Sequence, residues 1–201
     1  MKKKIVIGTK NKDKLRELRS LLRGRGVKIL SLKDFRACPD VVEDGRTFAA
    51  NAKKKARVYS KFTGMLTLAD DSGLTVPALK GKPGVMSARF AGPGGTYADN
   101  NRKLLRLLKR RPVSRRGARF VCVIAIYDKG RFVDIVRGEC RGRIALSPKG
   151  RNGFGYDPVF IPRGFSKTFA ELAPAVKNRI SHRGRALAAA KETILDYFSR
   201  T

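Results

Sequence analysis

Two adjacent carboxylates follow a short β-prone run in the first half of the chain. Residues 66–69 are predicted to form a short strand, which ends in the segment Asp70, Asp71, Ser72 and Gly73. Neighbouring carboxylates are costly to bury unless a cation or hydrogen bonds compensate them, and Mg²⁺ prefers one or two carboxylates together with phosphate oxygens and water. Because side chains alternate along a strand, we expect one of the pair to face such a site. The alternative is an Asx-type turn with Gly73 at positive φ.

A predicted strand-to-helix turn near the start of the chain offers donors to an anion. Residues 4–8 are typical of a buried strand, and the pattern Thr9-x-Asn11-x-x-Lys14-x-x-Glu17 follows directly. Free backbone N–H groups and the positive helix end attract phosphate at such a turn, and Lys14 could reach phosphate oxygens. An ordinary N-capped surface helix remains the alternative. The chain contains no Walker-type loop.

Acidic and basic residues before and within the second predicted helix could extend this site. Glu43 and Asp44 supply acid to a chain that is otherwise poor in it, and Thr47 is predicted to open the helix. Asn51 and Lys55 are four residues apart and therefore lie on one helical face. A solvated basic face is the alternative interpretation.

A glycine-flanked loop in the second half of the chain could bind a base. Phe154 and Tyr156 could sandwich a ring, and Asp157 could accept hydrogen bonds from ring N–H groups. The same loop could equally be a turn anchored in the core.

A cluster of donors comes just before the last predicted helix. His182 and Arg183 suit the carbonyl oxygens of a purine, whereas Lys177 suits phosphate. The alternative is simple capping of the helix by Ser181.

Mixed strands and helices must position these clusters. The strongest strand signal spans residues 119–127, where a turn at residues 128–130 leads into a partner strand over 131–136. Leucine, alanine and aromatic residues at helical spacing predict helices within residues 15–22, 47–59, 104–108 and 187–198. This mixture favours an α/β or α+β fold around a mixed sheet.

Charge and composition exclude several classes of protein. The 201 residues include 46 Lys and Arg against 16 Asp and Glu, a net charge of +30 that predicts attraction to polyanions. His182 is the only histidine, which excludes a multi-histidine zinc site. Three cysteines without metal-type spacing favour a reducing compartment. No apolar run is long enough for a signal peptide or a bilayer span, so we expect a cytoplasmic protein with no membrane partner.

These motifs together resemble the inosine triphosphate pyrophosphatase family, which acts on XTP and dITP. The resemblance is carried by Ala-Asp-Asp-Ser-Gly-Leu at residues 69–74, Gly-Phe-Gly-Tyr-Asp-Pro at 153–158 and Ser-His-Arg-Gly at 181–184, in the family's order. It implies an α/β fold with an elongated mixed β-sheet flanked by helices, with two lobes around a central cleft. It also implies a single domain over residues 1–201 and a homodimer.

The resemblance further implies an activity and a set of residues. The activity is Mg²⁺-dependent hydrolysis of ITP, dITP and XTP to the monophosphate and pyrophosphate, which cleanses the nucleotide pool. Glu43 and Asp71 would bind the metal, and Asp71 would also accept a proton from water. The residues implied in binding the nucleotide are Thr9, Lys10, Asn11, Lys12, Asp13, Lys14, Lys55, Ser72, Phe154, Gly155, Tyr156, Asp157, Lys177, His182 and Arg183. The chain departs from the family pattern at Ala50, where a glutamate is common.

Two other functions remain as hypotheses. The +30 charge and the missing acid at Ala50 would suit a basic nucleic-acid-binding protein on the same scaffold with weak or no catalysis. The basic runs are not interleaved with aromatic residues, however, as a stacking platform requires. A related pyrophosphatase acting on modified pyrimidine nucleotides is the second alternative.

Overall fold

The structure of the protein is a computed structural model that describes residues 3–22 and 27–200. Within those residues there are six strands: β1 (Lys3–Ile7), β2 (Val27–Ser31), β3 (Thr67–Thr75), β4 (Gly117–Asp128), β5 (Arg131–Ile144) and β6 (Phe160–Pro162). The α-helices of the same residues are α1 (Lys12–Leu22), α2 (Phe48–Thr63), α3 (Tyr97–Leu107), α4 (Pro174–Ile180) and α5 (His182–Arg200). No helix in these ranges is both long enough and apolar enough to cross a bilayer.

The strands form one mixed sheet, in the order β2-β1-β3-β4-β5-β6. Strand β1 is parallel to β2 and β3, and β5 is antiparallel to β6. The predicted β4–β5 hairpin is confirmed: Lys129 and Gly130 both have positive φ, at 47° and 82°, which is the geometry of a two-residue turn that matches strand twist. The predicted α/β class with a mixed sheet is therefore confirmed.

The chain divides into two compact units, of which the first comprises the described residues of Met1–Asp71, Cys122–Gly138 and Arg183–Thr201. Strand β1 is covered on both faces, so its apolar residues are contiguous, as in a buried parallel strand. Ile5 and Ile7 pack in the cluster that contains Leu18 of α1 and Leu187 of α5, whereas Val6 packs in a cluster with Tyr59 of α2.

The second unit comprises Ser72–Val121 and Glu139–His182. Its core includes Phe120, Phe160 and Phe169, and the ring centroids of Phe120 and Phe160 are 4.7 Å apart. Arg116 is buried in this unit and donates to the carbonyl oxygens of Leu108, Ile144 and Ala145 at 2.7–3.0 Å. Burial lowers the pKa of its guanidinium.

The prediction that the strand of residues 66–69 ends in the segment from Asp70 to Gly73 was wrong, because β3 runs through this segment to Thr75. The alternative turn with Gly73 at positive φ was wrong as well, since Gly73 is not among the residues of positive φ. Glycine is required at position 73 because Ser87 and the Gly84 carbonyl group lie too close to it for a side chain. The hydroxyl of Ser87 accepts from the Leu74 N–H at 2.9 Å, and a Cβ on Gly73 would lie 2.6 Å from the Gly84 carbonyl oxygen.

Candidate functional site

Asp71 lies buried in β3 and is held by a side chain of α2. Thr47 caps α2 by accepting from the Ala50 N–H at 3.1 Å, as the sequence predicted. One helical turn into α2, Asn51 donates to Asp71 Oδ2 at 3.0 Å, and Asn51 Oδ1 accepts from the Gly45 N–H at 2.7 Å. The amide of Asn51 is therefore fixed by a backbone group, and it fixes the Asp71 carboxylate in turn.

The pKa of Asp71 is raised above its ordinary value. Burial is the largest cause, and the charge of Glu43 acts in the same direction. The positive charges of Lys55 and Lys14 and the hydrogen bond from Asn51 oppose this increase. A carboxylate with a raised pKa is a better proton acceptor near neutral pH than an ordinary aspartate.

Lys55 connects α2 to the acidic segment that precedes it. Its ammonium lies 2.8 Å from Glu43 Oε2, and only 7% of its side chain is exposed. The neighbouring pair of Lys54 and Asp44 is also 2.8 Å long but is largely exposed. Since screening by water weakens exposed pairs, Lys55 and Glu43 form the stronger of the two interactions.

The carboxylates of Glu43 and Asp71 have the chemistry of a magnesium site. The described residues contain no group of three or more His, Cys, Asp and Glu side chains that could hold a metal ion. Two carboxylates still suit Mg²⁺, because this ion usually takes the rest of its oxygen ligands from phosphate and water. The repulsion through which Glu43 raises the pKa of Asp71 is the kind of charge that a divalent cation neutralises.

Asp70, the preceding residue, has close charged partners of its own. Its side chain is fully buried, with Oδ2 3.0 Å from Lys14 Nζ and 3.5 Å from Arg183 Nε. Arg183 also pairs with Glu17 of α1. Burial would raise the pKa of Asp70, but Lys14 and Arg183 outweigh it and hold the pKa well below its usual range. Burial likewise acts to lower the pKa of Lys14, and the charge of Asp70 raises it overall.

The start of α1 has the capping geometry that the sequence allowed as an alternative. Asn11 Oδ1 accepts from the N–H groups of Asp13 and Lys14 at 2.9 and 3.0 Å, and Thr9 Oγ1 accepts from the Asn11 N–H at 3.2 Å. Lys10 pairs with Asp40 at the surface. The Lys12 side chain is exposed.

In the second unit, the loop after Gly153 is built around Asp157. This carboxylate is almost fully buried and accepts from Lys177 Nζ at 2.5 Å and from the Phe154 N–H at 2.8 Å. Gly153 has a φ of 75°, and a Cβ there would collide with the carboxylate of Asp157. Glycine is therefore required at this position for both conformation and space.

The two aromatic residues of this loop have different environments. Phe154 is half-buried, and its ring centroid lies 5.1 Å from Lys177 Nζ and 5.9 Å from the centroid of Tyr97. Tyr156 is 4% exposed, and its hydroxyl donates to the Ser87 carbonyl oxygen at 2.9 Å. Burial raises the pKa of this phenol. Phe154 therefore offers a partly exposed ring, whereas Tyr156 anchors the loop in the core.

The remaining predicted residues of this unit are His182 and Ser72. His182 stacks on Phe120 with a centroid distance of 4.5 Å and an interplanar angle of 8°, and it is buried. Ser72 is half-buried in β3, directly after Asp71.

The sequence interpretation missed the pairing of Arg183 with Glu17, because the two residues are 166 positions apart. Lys14 and Glu17 are three residues apart in α1, so they lie on the same face of that helix. That spacing was a usable signal that both residues belong to one charge cluster. Asn101 of α3, which donates to the Gly155 carbonyl oxygen, gave no comparable signal.

Comparison with known proteins places the whole set of motifs in one family. The sequence profile of the Ham1 family matches residues 5–193. A protein of Desulforamulus reducens named dITP/XTP pyrophosphatase is 50% identical over 95% of both chains, and one of the same name from Geobacillus kaustophilus is 51% identical over 92% of this chain and 91% of its own. A solved HAM1 protein from Coxiella burnetii is 43% identical, with a TM-score of 0.87 over 96% of this chain and 99% of its own.

Proposed function

The chain belongs to the Ham1 family, and we propose that it hydrolyses dITP, XTP and ITP to the nucleoside monophosphate and pyrophosphate. Relatives named dITP/XTP pyrophosphatase that are half identical over nearly the full chain support this substrate class. The structural observation that carries the proposal is the buried Asp71 carboxylate, which is oriented by Asn51 and has a raised pKa.

Asp71 is the proton acceptor in this proposal. Water attacks the α-phosphorus and gives its proton to the Asp71 carboxylate. The bond between the α-phosphorus and the bridging oxygen breaks, and pyrophosphate leaves with the electron pair. The hydrogen bond from Asn51 keeps one carboxylate oxygen fixed, so that the other can face the water.

Lysine ammonium groups stabilise the charge that develops on the leaving pyrophosphate. Lys55 and Lys14 both act electrostatically on Asp71, so both lie within range of the same carboxylate. Positive charge fixed in a partly buried site stabilises a developing anion more than the same charge in water does. Residues Thr9 to Lys14 lie at the N-terminal end of α1, and the positive end of the helix dipole there attracts the triphosphate.

Glu43 and Asp71 would hold the magnesium ion. When bound, Mg²⁺ neutralises phosphate charge and lowers the pKa of a coordinated water molecule. The two carboxylates and the phosphate oxygens are hard ligands, as this ion prefers. Lys55, which pairs with Glu43, keeps that carboxylate near the start of α2.

Residues of the second unit bind the purine in this proposal. Phe154 supplies the partly exposed aromatic face, and Asp157, Lys177 and His182 supply polar groups. A 6-oxo purine accepts hydrogen bonds where ATP carries an amino group. When ATP binds, a buried donor that faces the 6-position has no acceptor, and this costs about 1–3 kcal/mol of binding free energy. The site therefore favours the deaminated base.

We further propose that the protein works as a cytoplasmic homodimer, as the family resemblance implies. Cys38, Cys122 and Cys140 are in the reduced form, without a disulfide between them, which suits a reducing compartment. The +30 charge supports additional non-specific binding to polyanions.

Hydrolysis in ¹⁸O-labelled water tests the bond that is cleaved. We expect ¹⁸O in the monophosphate and none in the pyrophosphate, because water attacks the α-phosphorus. Label found in the pyrophosphate, or in inorganic phosphate released from the γ-position, would contradict the proposed reaction.

A further inference from the structure

Helix α3 holds two separate loops through consecutive buried asparagines. Asn100 accepts from the Ala91 N–H at 2.6 Å and donates to the Ala88 carbonyl oxygen at 3.1 Å. Asn101, which is 6% exposed, donates through Nδ2 to the Gly155 carbonyl oxygen at 3.0 Å. The two amides thus secure different segments, and it is Asn101 that bonds to the loop that carries Phe154.

The carbonyl that Asn101 holds belongs to a glycine of positive φ in that loop. Gly155 has a φ of 63°, and a Cβ there would meet no atom within 4 Å, so no packed neighbour requires the glycine at this position. On either side, the Phe154 N–H is held by Asp157 and the Tyr156 hydroxyl is held by Ser87. Between these two anchors, the Phe154 carbonyl oxygen accepts from the Asp157 N–H at 3.2 Å, and the hydrogen bond from Asn101 restrains the next carbonyl, that of Gly155.

The orientation of the Asn101 amide follows from its partner. Rotation of the amide by 180° would bring its oxygen against the Gly155 carbonyl oxygen, which cannot donate. In the observed orientation Asn101 Oδ1 is buried, and it has no hydrogen-bond partner among residues 3–22 and 27–200. The hydrogen bond to Gly155 therefore depends on the Nδ2 donor of Asn101, which a side chain without an N–H group cannot replace.

Helix α3 also touches the aromatic ring of the loop directly. Tyr97 lies four residues before Asn101, on the same helical face, and its ring contacts Phe154. One helical face therefore contacts the Phe154 ring through Tyr97 and holds the next residue, Gly155, through Asn101.

We propose that Asn101 is a positioning residue for purine recognition, which fixes the Gly155 peptide and thereby the orientation of the Phe154 ring. The inference rests on the proposed function, because it assumes that Phe154 contacts the base. It assigns Asn101 no role in binding the triphosphate or in proton transfer.

The test compares Asn101→Leu with Arg102→Gln, a control on the neighbouring, exposed residue of α3. We expect Asn101→Leu to raise KM for dITP about tenfold, in line with the loss of one ordering hydrogen bond, at nearly unchanged kcat. The inhibition constant of inorganic tripolyphosphate, which lacks a base, should stay at the wild-type value. The control should leave both quantities unchanged.

Hydrogen exchange of residues 153–157 gives a readout independent of turnover. We expect faster exchange there in Asn101→Leu than in the control. Unchanged exchange, an unchanged KM for dITP, or an equal loss of tripolyphosphate and dITP binding would each overturn the proposal. If the leucine variant does not fold, Asn101→Asp keeps the shape, removes the donor and is judged by the same criteria. If the wild-type chain releases no pyrophosphate from dITP, the proposed function fails, and hydrogen exchange alone decides whether Asn101 anchors the loop.

Discussion

Asp70 and Asp71 are adjacent in β3, yet their carboxylates have different partners and oppositely shifted pKa values. Lys14 and Arg183 hold the pKa of Asp70 low, whereas burial raises the pKa of Asp71. Two carboxylates whose environments separate their pKa values commonly have separate roles. We therefore assign Asp70 to a permanently ionised structural charge and Asp71 to proton transfer.

Asp70→Asn should destabilise the protein most at neutral pH. The folded-state pKa of Asp70 lies below its unfolded value, so its ionised form stabilises the fold above the unfolded pKa, and this contribution is lost as pH falls through the folded pKa. Loss of the charge leaves Lys14 and Arg183 poorly compensated, which should cost about 3 kcal/mol at pH 7. Urea unfolding at pH 7, 5, 4 and 3 measures this.

The control for this experiment is Asp40→Asn, which removes an exposed carboxylate paired with Lys10. It should change the free energy of unfolding little at any pH. An Asp70→Asn deficit that does not shrink between pH 5 and pH 3 would contradict the assignment of Asp70.

Ala50→Glu and Ala50→Gln should separate helix capping from metal binding. Thr47 already accepts from the N–H at position 50, so either side chain could reach back and complete a capping box like that of Thr96 and Asp99 in α3. Both variants should gain about 0.5–1 kcal/mol of stability in EDTA. Only the glutamate adds charge, so only Ala50→Glu should lower the Mg²⁺ concentration needed for half-maximal activity. If both variants changed the Mg²⁺ dependence equally, a negative charge at position 50 would not contribute to metal binding.

Asp157 and Lys177 should behave as one unit in a double-mutant cycle. Both are almost fully buried, so Asp157→Asn leaves the ammonium of Lys177 without its counter-charge and should cost about 3–5 kcal/mol. Asp157→Asn with Lys177→Met should be more stable than the sum of the single changes predicts. Thermal unfolding of the four proteins measures the coupling, and strict additivity would show that the pair contributes no interaction energy.

Binding to nucleic acid should depend steeply on salt, whereas catalysis should not. The +30 charge favours release of counterions from a phosphate backbone, so affinity for a non-specific duplex should fall by orders of magnitude between about 50 and 200 mM salt. The rate of dITP hydrolysis at saturating substrate should change far less. Tight binding at high salt would instead favour the hypothesis of a specific nucleic-acid-binding protein.

The sequence predicted correctly those features that depend on residues close together in the chain. Two examples are the β4–β5 turn at Lys129 and Gly130 and the helix cap at Thr47. Each depends on residues within a few positions of each other. The continuation of β3 through Gly73 did not follow in this way. Within that continuation, the glycine at position 73 makes room for Ser87, which bonds to Leu74 from 13 positions away, and this contact depends on tertiary structure.

The same limit applied to the candidate site. The resemblance indicated which residues to inspect, but not that Tyr156 is buried against Ser87 while Phe154 keeps a partly exposed ring. Aromatic residues two positions apart in a glycine-flanked loop look equivalent in a sequence. Burial of one of them depends on the strands and helices that surround the loop, which no short motif records.

Pyrophosphate release from dITP, XTP, dGTP and dATP with Mg²⁺ tests the central claim most directly, when wild type is compared with folded Asp71→Asn. We predict strong preference of the wild type for dITP and XTP, and a rate in Asp71→Asn that is about 10²–10⁴-fold lower. Asp71→Asn should remain folded, because Asn51 can still donate to the amide oxygen at that position. Retention of most of the activity in Asp71→Asn would contradict the role of Asp71 as proton acceptor. If the folded wild type released no pyrophosphate from any of these nucleotides, the proposed enzymatic activity would be contradicted.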